Sequence, residues 1–207
     1  QRVNEPGWDS ELGKGRPGWH IECTAIALEY LDPSDLEETL IDIQGGGSDL
    51  IFPHHEMCAA QAHVMTGKEL AHSYVHTGMI GLDGEKMSKS KGNLVFVSRL
   101  VASGVDPMAI RWALMSDHYR LDRMWSDVIL QKAQSEIAQL RDALSKPTSA
   151  PTEDLITSIV NALSDDLDTT RVLSQLNTWA SSTLAGSHGG NTYDLRIVLD
   201  ALLGLKL

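Results

Sequence analysis

The chain has 207 residues, 42% of them hydrophobic and 22% charged, a balance that lets it bury a core and marks it as globular. Its 17 Lys and Arg against 28 Asp and Glu give a net charge of −11, which argues against a large nucleic-acid surface, because phosphate binding needs clustered cations. No apolar run approaches the ~18 residues of a membrane span, the start lacks the pattern of a signal peptide, and two cysteines are too few for a disulfide scaffold, so a reduced, cytoplasmic protein is expected.

In chain order, the Gly- and Pro-rich stretch 13–18 leads into HIECTAIALEYL, whose apolar spacing predicts a helix over 20–31. Asp32, Pro33, Ser34 and Asp35 break it, and residues 31–40 read as a surface excursion. LIDIQ, residues 40–44, reads as a short buried strand that ends in a glycine loop. A helix is predicted from Pro53, with proline in its first turn and Gly67 as its stop. Residues 73–81 read as a second strand, and LDGEK as a tight turn. Strand, glycine loop, helix, strand is the order of an α/β nucleotide-binding sheet.

Beyond residue 100 the pattern is helix after helix. Pro107 opens one, residues 124–145 form a long amphipathic one, and KPTSAP (146–151) reads as a linker. Thr152 is the expected N-cap of the next, with acids in its first turn. Helices over 169–186 and 193–205, separated by SHGGN, complete the set. The predicted organisation is an α/β domain over 1–100 and a helical bundle over 101–207. Neither is basic: the first has 8 basic and 15 acidic residues, the second 9 and 13. The chain opens on Gln1 rather than Met and reads as a fragment of something longer.

Four groups of residues carry chemistry. Cys23, His54 and Cys58 pair imidazole with thiol, a zinc preference, and the four-residue step from His54 to Cys58 faces both to one side of a helix. Buried cysteines also serve as small apolar side chains, so the residues alone leave two readings open. Gly47, Ser48 and Asp49 close a glycine run after a strand, where a ligand can approach the backbone and an acid can reach ribose hydroxyls; the run also suits a plain turn. Lys86, Lys89 and Lys91 lie among small residues in GEKMSKSKGN, a cationic loop suited to a polyphosphate whose charge rises as a phosphorus bond breaks. Trp19 precedes Cys23 and is either a pocket floor or core.

Together GRPGWHIEC, GGGSDLIFPHHE, HTGMIG and KMSKS, in this order, resemble the cysteinyl-tRNA synthetases and their relatives among the class I synthetases. The resemblance is strong over residues 13–130 and weaker beyond. It implies an α/β fold, the second half of a class I Rossmann-like catalytic domain, followed by an all-α bundle. It implies ATP with Mg2+ as substrate and one Zn2+ held by Cys23 and His54, with another cysteine ligand upstream near a HIGH motif. Lys89, helped by Lys86, would act on the β- and γ-phosphates. Gly47, Ser48 and Asp49 would hold the adenosine, Met79 and Ile80 would border the adenine, and Trp19 would line the cysteine pocket. The resemblance also implies a monomer whose HIGH-bearing half is missing here, so that this chain alone is not expected to catalyse.

Two branches of the group compete. One joins cysteine to tRNA; the other joins it to the amine of glucosaminyl-inositol in mycothiol biosynthesis. Cys58 stands where the tRNA branch has a glutamate ligand, HYRLDRMWS (118–126) resembles the second branch, the helical half is acidic, and the chain stops soon after DDLDT. The expected activity is therefore formation of cysteinyl-adenylate and its transfer to glucosaminyl-inositol, with L-cysteine, ATP and that amino sugar as partners and no membrane. A tRNA acceptor, or a non-catalytic binding role, is the alternative. Cys58 matches neither branch's ligand set and is left open between ligation and passive packing.

Overall fold

The computed structural model describes residues 7–11, 13–16, 18–31, 39–88 and 91–207. The predicted break at 32–35, most of the 31–40 excursion and Lys89 lie outside them. Packing divides the chain into two compact units, Gln1–Met79 and Ile80–Leu207, so the stretch from Ile80 to the change of texture near residue 100 goes with the helices.

In the first unit, β1 (Trp8–Ser10) and β2 (Gly13–Gly15) form a small antiparallel hairpin that the glycine-rich sequence did not announce. Helix α1 (Trp19–Leu31) follows as predicted. Strands β3 (Thr39–Gly47) and β4 (Glu69–Thr77) pair in parallel, joined through helix α2 (Glu56–Thr66). The predicted strand at 40–44 is thus too short. Gly45, Gly46 and Gly47 stand in register with Val75, His76 and Thr77, so the ladder carries the glycines and the turn begins at Ser48. Nor is β3 buried on both faces, since Ile43 is 63% exposed. Helix α2 starts three residues later than predicted. Phe52 precedes Pro53 and is extended (φ −136°, ψ 136°), the conformation that a following proline imposes, and Ile51–His55 makes a wide turn instead. Gly67 ends the helix as expected, its N–H donating to the His63 carbonyl at 2.8 Å. Leu40, Cys58, Ala62 and Leu70 form this unit's core, flanked by Cys23, Ala27 and Leu28 of α1.

The predicted strand at 73–81 is two strands. The first strand ends at Thr77, and β5 (Ile80–Leu82) joins another sheet in the order β6-β5-β7, with β6 (Glu85–Lys86) antiparallel and β7 (Arg123–Trp125) parallel to it. Asp83 and Gly84, at φ 53° and 81°, make the tight two-residue turn between β5 and β6. Because Met124 and Trp125 pair with Gly81 and Leu82, the long helix starts later than predicted. Helix α5 (Asp127–Ser145) is capped by Ser126, whose Oγ accepts the Ile129 N–H at 3.3 Å.

The rest of the second unit is helical: α3 (Val97–Ala102), α4 (Pro107–Met115), α6 (Glu153–Ser164), α7 (Thr169–Leu184) and α8 (Thr192–Leu203). Trp112, Ile137, Leu140, Ile159, Leu176 and Leu195 are at most 1% exposed at its centre. Glu136 on α5 accepts from the Trp112 indole on α4 at 2.8 Å and from the Asn177 amide on α7 at 2.9 Å. Asp106 caps α4 through the Met108 N–H at 2.9 Å and pairs with Arg141 of α5. Two expectations gain detail here. Thr152 holds the N-cap position of α6 as expected, but its side chain makes no capping bond: it is buried, and its hydroxyl donates to the Asn191 carbonyl at 3.0 Å. Residues 146–151 are no loose linker, because Ser149 and Ala150 are buried. The Ala150 N–H donates to Thr183 Oγ1 and its carbonyl accepts from the Trp179 indole, each at 3.0 Å. Residues 118–120 fasten to the corner between α6 and α7, where the Tyr119 hydroxyl donates to Asp166 at 2.7 Å and Arg120 pairs with the same carboxylate at 2.8 Å. Among the described residues, no helix is long and apolar enough to cross a membrane.

Candidate active site

Parallel strands place ligands beyond their carboxyl ends. In the first unit those ends are Gly47 and Thr77. A β-carbon on Gly47 would lie 2.7 Å from the Asp49 carboxylate and 3.2 Å from the Met79 sulfur, so Gly47, Asp49 and Met79 converge on one spot. Ser48 lies between them, exposed in a 3-10 turn, Ser48–Leu50. A β-carbon on Gly46 would meet the His55 ring at 2.8 Å. The glycines are small because side chains of the site close over them.

Beside this lie four imidazoles. Nδ1 of His20 and Nδ1 of His54 are 2.8 Å apart. Trp19, 56% exposed, stacks on His54 with ring centroids 4.2 Å apart and planes 20° from parallel. Burial, and then the neighbouring His20, holds His54 below the ordinary imidazole pKa, so it is neutral near pH 7. In the tautomer in which His54 donates Nδ1–H to His20, its Nε2 lone pair stays available to a metal; in the other, His20 donates to it. Cys23 is half-buried at the edge of the same core. The donor chemistry of Cys23 and His54 therefore fits zinc. Two donors are half a tetrahedral set, and among the described residues no three His, Cys, Asp or Glu side chains gather to hold a metal ion.

Cys58 is 4% exposed and packs among Leu40, Ala62 and Leu70, where burial pushes its thiol pKa up and its S–H points to the His20 carbonyl at 3.4 Å. His55 is also buried, with Nδ1 2.8 Å from His76 Nε2 and Nε2 3.2 Å from the Gln44 amide. Its pKa is lowered by burial, then by His76 and His54. Glu56 and His63 line an open cleft of about 490 Å³ with His55, Glu69, Tyr74 and His76.

In the second unit, Met87 and Ser88 follow β6 directly. Lys86 is exposed at the end of that strand, and Ile80 in β5 packs on the helical core. Asn93 closes the loop: its Oδ1 accepts the Ser88 N–H at 2.9 Å and its Nδ2 donates to the Lys86 carbonyl at 3.3 Å. Lys91 pairs with Glu85 at 2.8 Å. Lys89 lies outside the described residues.

Residues 1–135 match the family model of the tRNA synthetase class I (C) catalytic domain. The chain belongs to that family. Over its full length it is 52% identical to an L-cysteine:1D-myo-inositol 2-amino-2-deoxy-alpha-D-glucopyranoside ligase of Saccharomonospora viridis, and 51% identical to proteins of that name from Nakamurella multipartita and Mycolicibacterium smegmatis. It covers 50%, 48% and 50% of those proteins, about half the length of each. Among solved structures, a putative arginyl-tRNA synthetase from Campylobacter jejuni superposes with a TM-score of 0.54 at 14% identity, over 96% of this chain and 52% of that one. A leucyl-tRNA synthetase of Agrobacterium radiobacter, in a complex with tRNA, gives 0.50 at 18% identity, over 80% of this chain and 25% of that one. At these identities the likeness shows a shared α/β class I synthetase fold.

Within this class I (C) domain, sequence reasoning left His20, His55, His76, Gln44 and Asn93 without roles and overlooked Thr24 and Gln61. One signal was available. His20, Cys23, Thr24 and Ala27 follow helical spacing, so one face of α1 carries polar and sulfur side chains where an ordinary amphipathic helix carries only apolar ones.

Proposed function

We propose that this chain is part of an ATP-dependent ligase that activates L-cysteine as cysteinyl-adenylate and joins it to the amine of glucosaminyl-inositol. The carrying observation is that half of its residues match ligases of that name along the whole chain, helices included. The site's chemistry supports the same reading.

In the first step the cysteine carboxylate attacks the α-phosphorus of ATP, and pyrophosphate leaves. In the second the acceptor amine attacks the adenylate carbonyl, AMP leaves with the bonding electron pair, and the amine's proton passes to solvent. Positioning and electrostatics supply the rate. Lys86 and Lys89 offset charge on the departing phosphates, and Asn93 ties the Ser88 and Lys86 backbone together. Asp49 faces the ribose, Gly47 lets the nucleotide approach the backbone, and Met79 and Ile80 border the adenine. A zinc ion held by Cys23 and His54, with ligands from outside the described residues, would supply preference for a thiol over a hydroxyl. Trp19 walls the space beside His54.

The test uses the full-length protein with ATP, cysteine and zinc, offered glucosaminyl-inositol and bulk tRNA separately. Mass spectrometry is expected to find cysteine on the amino sugar alone. Product on tRNA alone would return the chain to the tRNA branch.

A further inference from the structure

Thr24 is 0% exposed in the middle of α1, a place where valine fits as well and costs no polar desolvation. Its hydroxyl oxygen lies 2.9 Å from the His20 carbonyl, one helical turn back, and 3.0 Å from the side-chain amide of Gln61 on α2. A hydroxyl has one proton. The structure sets Gln61 Oε1 toward this hydroxyl; with the amide oxygen and nitrogen exchanged, the Gln61 NH2 donates to Thr24, the Thr24 proton goes to the His20 carbonyl, and both contacts are hydrogen bonds. The same His20 carbonyl accepts from the Cys58 thiol of α2 at 3.4 Å. One carbonyl and one hydroxyl thus bind α1 to α2 by directional bonds within an otherwise apolar seam.

The bonds join the helix that carries one candidate ligand to the helix that follows the other. Cys23 is next to Thr24. His54 touches His20 at 2.8 Å and leads into the helix that carries Gln61. Apolar contacts alone allow two helices to slide, whereas a buried hydrogen bond rewards one offset. We infer that Thr24 and Gln61 are positioning residues that fix the separation of Cys23 and His54, and so the affinity of the metal site. The inference rests on the reading of those two residues as zinc ligands.

The full-length protein is compared with its Thr24→Val, Thr24→Ser, Gln61→Met and Cys23→Ser variants. Zinc Kd is read by competition with a chromophoric chelator, ligand geometry by the visible spectrum of the cobalt-substituted protein, and folding by circular dichroism. Thr24→Val and Gln61→Met are expected to fold, to bind zinc about 10–100-fold more weakly and to shift the cobalt bands. Thr24→Ser restores both, and the Thr24→Val, Gln61→Met double variant is no weaker than the worse single. Gln61→Met breaks the bond from the α2 side, so it stands as the test if Thr24→Val fails to fold. Wild-type zinc affinity in either folded variant, while Cys23→Ser loses zinc, overturns the positioning role and leaves the ligand reading standing. Full zinc in Cys23→Ser overturns the ligand reading and the inference with it.

Discussion

The two compact units hold together by different means. Among the described residues, the first has a core of four buried side chains, Leu40, Cys58, Ala62 and Leu70, while Val64, Phe52, Ile43 and Trp19 are more than half exposed. Its inner contacts are largely polar: His20 to His54, His55 to His76, Thr24 to Gln61. The second has twenty-three buried side chains in one continuous cluster. Burial at roughly 25 cal/mol per Å² is non-directional and forgiving. Hydrogen bonds between imidazoles, amides and hydroxyls are worth about 1 kcal/mol each and depend on geometry. The helical unit is thus built for stability, and the unit with the imidazoles for the placement of groups.

Core truncation strikes the helical unit hardest. Trp112→Ala removes a fully buried indole and leaves Glu136 without one of its donors. A loss of about 3–5 kcal/mol is expected in denaturant unfolding; a loss below about 1 kcal/mol would show that its burial does not matter. The first unit answers instead to close approach. Gly46→Ala puts a methyl 2.8 Å from the His55 ring, which its bonds to Gln44 and His76 prevent from yielding. The expected cost is about 1–3 kcal/mol, read as faster amide exchange in α2 and β4 with exchange in α5 and α7 unchanged. Equal acceleration in all four helices and strands would erase the contrast between the units.

Electrostatics comes next. The hydrogen bond from Arg141, helped by the Met108 N–H, holds the Asp106 carboxyl below its ordinary pKa. A depressed folded pKa adds stability above the unfolded value near 4 and forfeits it as pH falls through the folded value. Asp106→Ala is expected to cost about 1–2 kcal/mol at pH 7, and the gap from wild type should close in acid. A gap that stays constant to pH 2 contradicts the assignment. The smallest effect on stability is that of Asn93→Ala, within about 0.5 kcal/mol as for most surface changes. Its effect belongs to the chemistry: a loosened loop should slow cysteine-dependent ATP–pyrophosphate exchange about tenfold. Unchanged exchange would remove Asn93 from the site.

What was legible in the sequence divides along the same line. Helices α1, α4, α7 and α8 follow from apolar spacing, and the stops at Gly67 and the turn at Asp83-Gly84 from backbone preference, because each depends on neighbours within a few residues. The strand through Gly45–Gly47, by contrast, is created by its pairing with residues 75–77, which no local pattern records. Thr152 has the composition of a cap, but burial sends its hydroxyl to Asn191, 39 residues away. The candidate residues divide likewise. Gly47, Ser48, Asp49 and Lys86 lie in short motifs, whereas Thr24–Gln61 and Gln44–His55–His76 are joined only by the fold.

Glu136 has a consequence for alignment. The apolar seams among α4, α5 and α7 reward contact at nearly any axial offset. A slide of one turn, about 5.4 Å, would set each apolar side chain against another apolar neighbour. The same slide would part the carboxylate from the indole of Trp112 or the amide of Asn177. A single acid with one oxygen for each neighbour therefore serves as a vernier mark, selecting one alignment of three helices from a family of nearly equal ones.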